Sequence, residues 1–215
     1  MKIPLHNRLK RTLHKDIAEL QDIVVETVYS LEENAVLHGG TAIWRCFGGN
    51  RFSEDLDFYI KPKADFKELL EKKLFPLGIK IIKFRKTENA VYSKIEKEKV
   101  SVALEIALRE FKKPAVSEYE KADGTSIDIF TPSADELLVE KLNAFKNRRL
   151  IRDIYDVFHL SRFSSNDEKF SKMVAGLLEN LPKPADEQNL KNLVLAGAVP
   201  SFEQMAVVLK RRFLQ

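Results

Sequence analysis

The sequence predicts an α+β protein: a sheet flanked by helices, followed by a helical C-terminal lobe. Three observations carry that expectation. Apolar runs of strand length in the first half are separated by glycine and proline breaks. Within one of them Val102, Leu104 and Ile106 alternate with Ala103, Glu105 and Ala107, the period of a half-buried strand. Beyond Thr131-Pro132 nearly every segment instead repeats apolar residues every three or four positions. The sequence therefore divides into a core with an N-terminal helix, 1–131, and a helical lobe, 132–215.

In order along the chain, Leu9, Leu13, Ile17, Leu20, Val24, Val28 and Leu31 mark one long amphipathic helix. Ala35 to His38 is a short strand ended by Gly39-Gly40, and Thr41 to Phe47 reads as a helix opening at the threonine. After the break at Gly48-Gly49-Asn50, Leu56 to Ile60 has the aromatic and β-branched content of a strand. A helix from Asp65 to Phe75 follows, then strands at Ile79–Phe84, Val91–Ile95 and Val100–Leu108. Asp123-Gly124 is a hairpin turn leading into Ile127–Phe130. Ser133-Ala134-Asp135-Glu136 is a capping-box pattern. Three stripes follow it, the first around Leu138 and Leu142, the second around Ile154 and Phe158, and the last around Met205 and Leu209.

Composition narrows the classes. With 215 residues, 44% of them hydrophobic, the chain has material for a real core. A balance of 36 basic against 32 acidic residues gives +4, which permits a polyanionic partner without demanding one. Cys46 is the single cysteine, so no internal disulfide or cysteine zinc cage forms, and the four histidines lack ligand spacing. The opening MKIPLHNRLKR has no apolar core after its charges, and no window reaches the ~18 apolar residues of a membrane span. A cytoplasmic protein without a membrane partner is expected.

The chemistry concentrates between Leu37 and Ile60. Asp55 and Asp57 are two apart, so on a strand both carboxylates share a face and suit Mg²⁺, which binds a few carboxylates and completes its shell with water and phosphate. A bare Asp-x-Asp is usually a solvated strand end. Here Gly39 and Gly40 precede it and allow close backbone approach, while Thr41 starts a helix whose N–H groups attract phosphate. Arg51 and Ser53 can reach phosphate oxygens, although an internal salt bridge from Arg51 to Glu54 or Asp55 is the plainer alternative. Trp44, Cys46 and His38 read as packing residues, and Arg45 as lying on the outer face of its helix. Further on, Arg149, Arg152, Asp153 and Asp156 share one helical face, opposite Ile151, Ile154, Tyr155 and Phe158.

His38-Gly39-Gly40-Thr41-Ala42 followed by Arg51-Phe52-Ser53-Glu54-Asp55-Leu56-Asp57-Phe58 resembles the nucleotidyltransferases of the AbiEii/AbiGii abortive-infection toxin family, within the DNA polymerase beta-like superfamily. Glu140-Lys141-Leu142-Asn143-Ala144, Arg149 and Arg152-Asp153-Ile154-Tyr155-Asp156 extend the resemblance to about 34–160. It implies a polymerase-beta-like mixed sheet and a third metal-binding carboxylate beside Asp55 and Asp57. Glu105 is the candidate, with Asp128 as its substitute. It further implies that Lys141 contacts the triphosphate and that Asp153 or Asp156 orients the lysine or the nucleotide, a choice that spacing leaves open.

The implied catalytic set is therefore Asp55, Asp57, Glu105, Lys141 and Asp153. Gly39, Gly40, Thr41, Arg51, Ser53, Lys141 and Asp156 are the implied nucleotide contacts. Mg²⁺ or Mn²⁺ is the implied cofactor, an NTP the substrate, and RNA, for example a tRNA 3′ end, the acceptor. A toxin role with an antitoxin encoded nearby completes the expectation. Two other readings keep the fold: transfer to a small molecule or a protein side chain, and a non-catalytic interaction module. Lys112, Lys113, Arg148 and Arg149 either guide RNA or form a solvated rim.

Overall fold

The computed structural model describes residues 3–214, which form two units. Unit 1 comprises residues 1–46 and 52–132, and unit 2 comprises 47–51 and 133–215.

Unit 1 contains α1 (Leu5–Arg8), α2 (Thr12–Leu31), β1 (Val36–His38), α3 (Gly39–Cys46), β2 (Leu56–Tyr59), α4 (Phe66–Leu74), β3 (Ile79–Lys86), β4 (Ala90–Lys97), β5 (Val100–Ala107), β6 (Ala115–Glu120) and β7 (Ser126–Thr131). Its seven strands make one sheet in the order β3-β4-β5-β2-β1-β7-β6. The pairs β2–β5 and β1–β7 are parallel and the others antiparallel, so the sheet is mixed, as expected of an α+β fold. Leu37, Leu56, Phe58, Leu104 and Ile106 are buried on the face of β1, β2 and β5 opposite Asp57 and Glu105, and α2 packs on β5. α2 buries Ile17, Leu20, Val24 and Val28 along one stripe, which is why that periodicity was readable. The helix begins three residues later than its apolar spacing suggests. Leu9 is buried ahead of it and Leu13 is 54% exposed.

Two expectations need correction here. β6 was not anticipated: its partner β7 lies across the Asp123-Gly124 turn, and only Tyr119 and Glu120 of its six residues are buried. Gly124 does take the left-handed conformation that the turn needs, with φ of 89°. Arg45, expected on an outer face, is 2% exposed and donates 3.0 Å to Asp22 and 2.9 Å to the Ala18 carbonyl. Its charge is compensated by a partner 23 positions away, which no local pattern reveals.

Unit 2 contains α5 (Ala134–Arg148), α6 (Ile151–Leu160), α7 (Glu168–Leu178), α8 (Leu190–Leu193) and α9 (Phe202–Phe213). Reciprocal capping boxes start α5 (Ser133 with Glu136) and α9 (Ser201 with Gln204), each stabilising its helix by about 1 kcal/mol. α5 packs on α6, and α9 on α6 and α7. Arg149 has a φ of 54° and ends α5, so it lies outside α6 and is exposed, contrary to the shared polar face drawn from spacing. Residues 47–51 join this unit through Arg51, which bridges to Val194, and Asn50, whose side chain donates 2.6 Å to the Ala196 carbonyl. Among the described residues no helix is long and apolar enough to cross a membrane.

Candidate active site

In unit 1, β2 and β5 run parallel with Asp57 level with Glu105, so their side chains leave the same face on neighbouring strands about 4.8 Å apart. Asp55 lies one residue before β2, in the segment leading into the strand rather than within it. Glu105 senses both aspartates. Burial pushes the Glu105 carboxyl above the ordinary range, and the carboxylates of Asp57 and then Asp55 push it further, against a small opposing effect of His38.

The first glycine of the pair is required by its backbone and its neighbour. It begins α3 with a φ of 72°, and a Cβ there would run into the Asp57 carboxylate, 2.9 Å from Cγ. The helix thus starts at Gly39 rather than at Thr41. Thr41 is fully buried, and instead of capping it donates its hydroxyl to the Asp55 carbonyl at 2.5 Å. Gln21, a residue that no motif singled out, donates to the carbonyls of Ser53 and Glu54 at 2.9 and 3.1 Å. Arg45 in turn holds Gln21 Oε1 at 3.4 Å. The loop carrying Ser53 and Asp55 is therefore fixed by its carbonyls from buried side chains of α2 and α3.

Asp128 is on β7, which meets β1 with Phe130 level with Val36. That register sets Asp128 four positions before the level of His38, about 13 Å along the strands, so β7 does not bring it to the acids. His38 pairs with Asp57 across the β1–β2 ladder, and its ring stacks on Tyr59 with centroids 3.8 Å apart. Trp44 is 2% exposed and packs on Phe52. Burial raises the Cys46 thiol to about 12, which suits packing rather than nucleophilic attack.

The acids do not enclose an ion by themselves. Among the described residues no three His, Cys, Asp or Glu side chains form a metal-holding group. Oxygen donors on one open face nevertheless suit Mg²⁺, which keeps several positions for water and phosphate, better than a closed zinc cage.

Unit 2 gathers the second set of candidates into a buried charge network. Asp156, 1% exposed, accepts two bonds of 2.6 Å from Arg51 and one ion pair of 3.1 Å from Lys141. Asp153, fully buried, takes two bonds of 2.7 Å from Arg148 and lies 3.8 Å from Lys141. Burial alone would raise Asp156, but the cations of Arg51 and Lys141 outweigh it and hold the carboxyl below its ordinary range. Burial likewise works against the Arg51 charge, and Asp156 more than restores it. Both aspartates thus touch Lys141, Asp156 the more closely. The Arg51 guanidinium forks onto the Asp156 carboxylate.

A profile of the family "Nucleotidyl transferase AbiEii toxin, Type IV TA system" matches residues 25–206. The fold is similar to that of JHP933 from Helicobacter pylori, at 21% identity and a TM-score of 0.69 over 95% of this chain and 91% of that one. A second crystal structure from H. pylori is similar at 19% identity and a TM-score of 0.68, over 95% and 94% of the two chains. MenT4, a nucleotidyltransferase toxin of Mycobacterium tuberculosis, follows at 16% identity and a TM-score of 0.61, over 94% and 84%. No curated protein matches the sequence. A family profile spanning most of the chain, on the nucleotidyltransferase fold expected from the motifs, shows that this chain belongs to the AbiEii nucleotidyl transferase toxin family of toxin–antitoxin systems.

Proposed function

We propose that the chain moves a nucleoside monophosphate from an NTP to a hydroxyl of RNA, with a tRNA 3′ end as the acceptor and pyrophosphate as the leaving group, and that it acts as a toxin held in check by an antitoxin encoded nearby. The observation that supports this most is the register pair of Asp57 and Glu105, with Asp55 beside it and a side-chain-free Gly39 against it. Asp55, Asp57 and Glu105 would hold Mg²⁺ or Mn²⁺, which would offset charge on the triphosphate and on the attacking and leaving oxygens.

The chain's own residues do the rest. Glu105, level with Asp57 on the neighbouring strand, is placed to hold the metal or to draw the proton from the attacking hydroxyl. Gly39 admits the Asp57 carboxylate beside it, Gly39 and Gly40 would offer backbone N–H groups at the start of α3 to a phosphate, and Thr41 holds Asp55 by its main chain. Ser53 offers a hydroxyl to phosphate. Lys141 serves as a point charge for the triphosphate, aimed by Asp156 and Asp153. Arg51 is a positioning residue, acting through Asp156.

Incubation with labelled NTPs, Mg²⁺ and cellular RNA tests the proposal. Label should enter RNA and be lost with Asp57→Ala. Transfer that survives this substitution rejects the mechanism, and label in protein or metabolites with RNA untouched moves the acceptor elsewhere.

A further inference from the structure

Unit 1 carries a cavity of about 810 Å³, a size that accommodates small ligands, lined in part by the end of β2 and the segment after β5. It lies close to the acids along the sheet: Tyr59 in its wall is two residues beyond Asp57 on the same face, about 7 Å along the strand. Flat groups lead into it. The Tyr59 ring stacks on His38, the ladder partner of Asp57, and also lies nearly parallel to Phe111, with centroids 5.3 Å apart and 13° between planes. The Arg109 guanidinium sits 4.2 Å from the Tyr59 centroid. Phe111 is only half-buried and lines the cavity.

Charge complements this platform. Lys61, Arg109, Lys112 and Lys113 are exposed cations of the lining, against two acids, Glu32 and Glu110. Glu32 is engaged by the Lys63 backbone N–H at 2.8 Å. Lys113 holds a φ of 60°, a left-handed conformation unfavourable for a lysine, in the middle of this basic run.

We propose that this cavity binds a single-stranded stretch of RNA, the acceptor strand, with a base stacked on Phe111 and phosphates on Lys112 and Lys113. The inference rests on the nucleotidyl-transfer reading above. An anionic lipid surface or an acidic protein would use the lysines but gains nothing from the stacked rings. A duplex keeps its bases hidden. An unpaired strand uses both features, since bases of any identity stack on aromatic faces while the backbone follows the cations.

The test uses the full chain and a short fluorescent single-stranded RNA, followed by anisotropy across a salt series, with Phe111→Ala and the double variant K112E/K113E. Phe111→Ala should weaken binding about 10-fold, and the double variant should flatten the log–log salt slope by about 1. The single strand should bind more tightly than a duplex of the same sequence. Melting temperatures of both variants, and stabilisation by Mg²⁺ with ATP, should match the wild type. Unchanged affinity in both variants overturns the proposal, as does equal competition by duplex RNA or polyglutamate. If the wild type is stabilised by Mg²⁺ with ATP while the variants bind RNA normally, this site fails and the transfer reading stands. If that stabilisation is missing while Phe111→Ala still weakens RNA binding, the transfer reading fails and this site stands.

Discussion

The two units treat their carboxylates in opposite ways. In unit 2, Asp156 and Asp153 are sunk in the interior and met by Arg51, Lys141 and Arg148, so that Asp156 stays ionised more readily than a free carboxyl. In unit 1, Glu105 stands level with Asp57 and near Asp55, and its carboxyl is pushed toward its neutral form by burial and by those acids. One arrangement supplies its cations from the chain. The other gathers like charges on a sheet face, an arrangement that costs the fold stability and that a bound cation would relieve.

Substitutions sharpen that contrast. Asp156→Ala removes the forked partner of buried Arg51 and the nearer of the two carboxylates at Lys141, and urea unfolding should show a loss of about 3–5 kcal/mol. Replacing the pair together, R51M with D156L, should recover much of it. Asp57→Asn should leave stability unchanged or raise it, because it relieves repulsion; a loss as large as that of Asp156→Ala would erase the distinction. Gly39→Ala comes next. Its left-handed backbone and the Asp57 carboxylate in its way should cost about 1–2 kcal/mol, with most of the transfer activity lost as well.

The pH dependence follows from the lowered Asp156. A carboxyl whose folded pKa lies below its unfolded value contributes stability that is fully present above the unfolded pKa of about 3.9 and is lost as pH falls through the folded one. The wild type should therefore lose stability on acidification below that value more steeply than Asp156→Asn, as read by urea midpoints. The smallest effect is at Cys46. With its thiol raised to about 12, it should resist alkylation in the folded protein at neutral pH, and fast modification would contradict its packing role.

Much of unit 1 was legible because its signals are local. Alternation in β5 marked the strand, while the position of Glu105 level with Asp57 follows from the pairing of β5 with β2; the glycines before Asp55 and Asp57 marked a tight backbone site, and Gly39 lies against the Asp57 carboxylate. What escaped the sequence depends on distant partners. Arg45 is buried because Asp22 and the Glu120 carbonyl meet it, and β6 is a strand because β7 pairs with it. Gln21 looks like any polar residue of an amphipathic helix until the loop at Ser53 folds onto it. In unit 2, spacing placed Asp153 and Asp156 on one face but made Arg149 their neighbour. The left-handed turn at Arg149 leaves Arg148 as the residue that forks onto Asp153.

The central claim is that the acids of unit 1 take a cation together with a nucleotide. Thermal unfolding of the wild type and of Asp57→Asn, with ATP in the presence and absence of Mg²⁺, tests it most directly, because a ligand stabilises only the state that binds it. The account predicts a rise in melting temperature for the wild type only when both are present, and none for Asp57→Asn. An equal rise without metal, or one that persists in the variant, would contradict it.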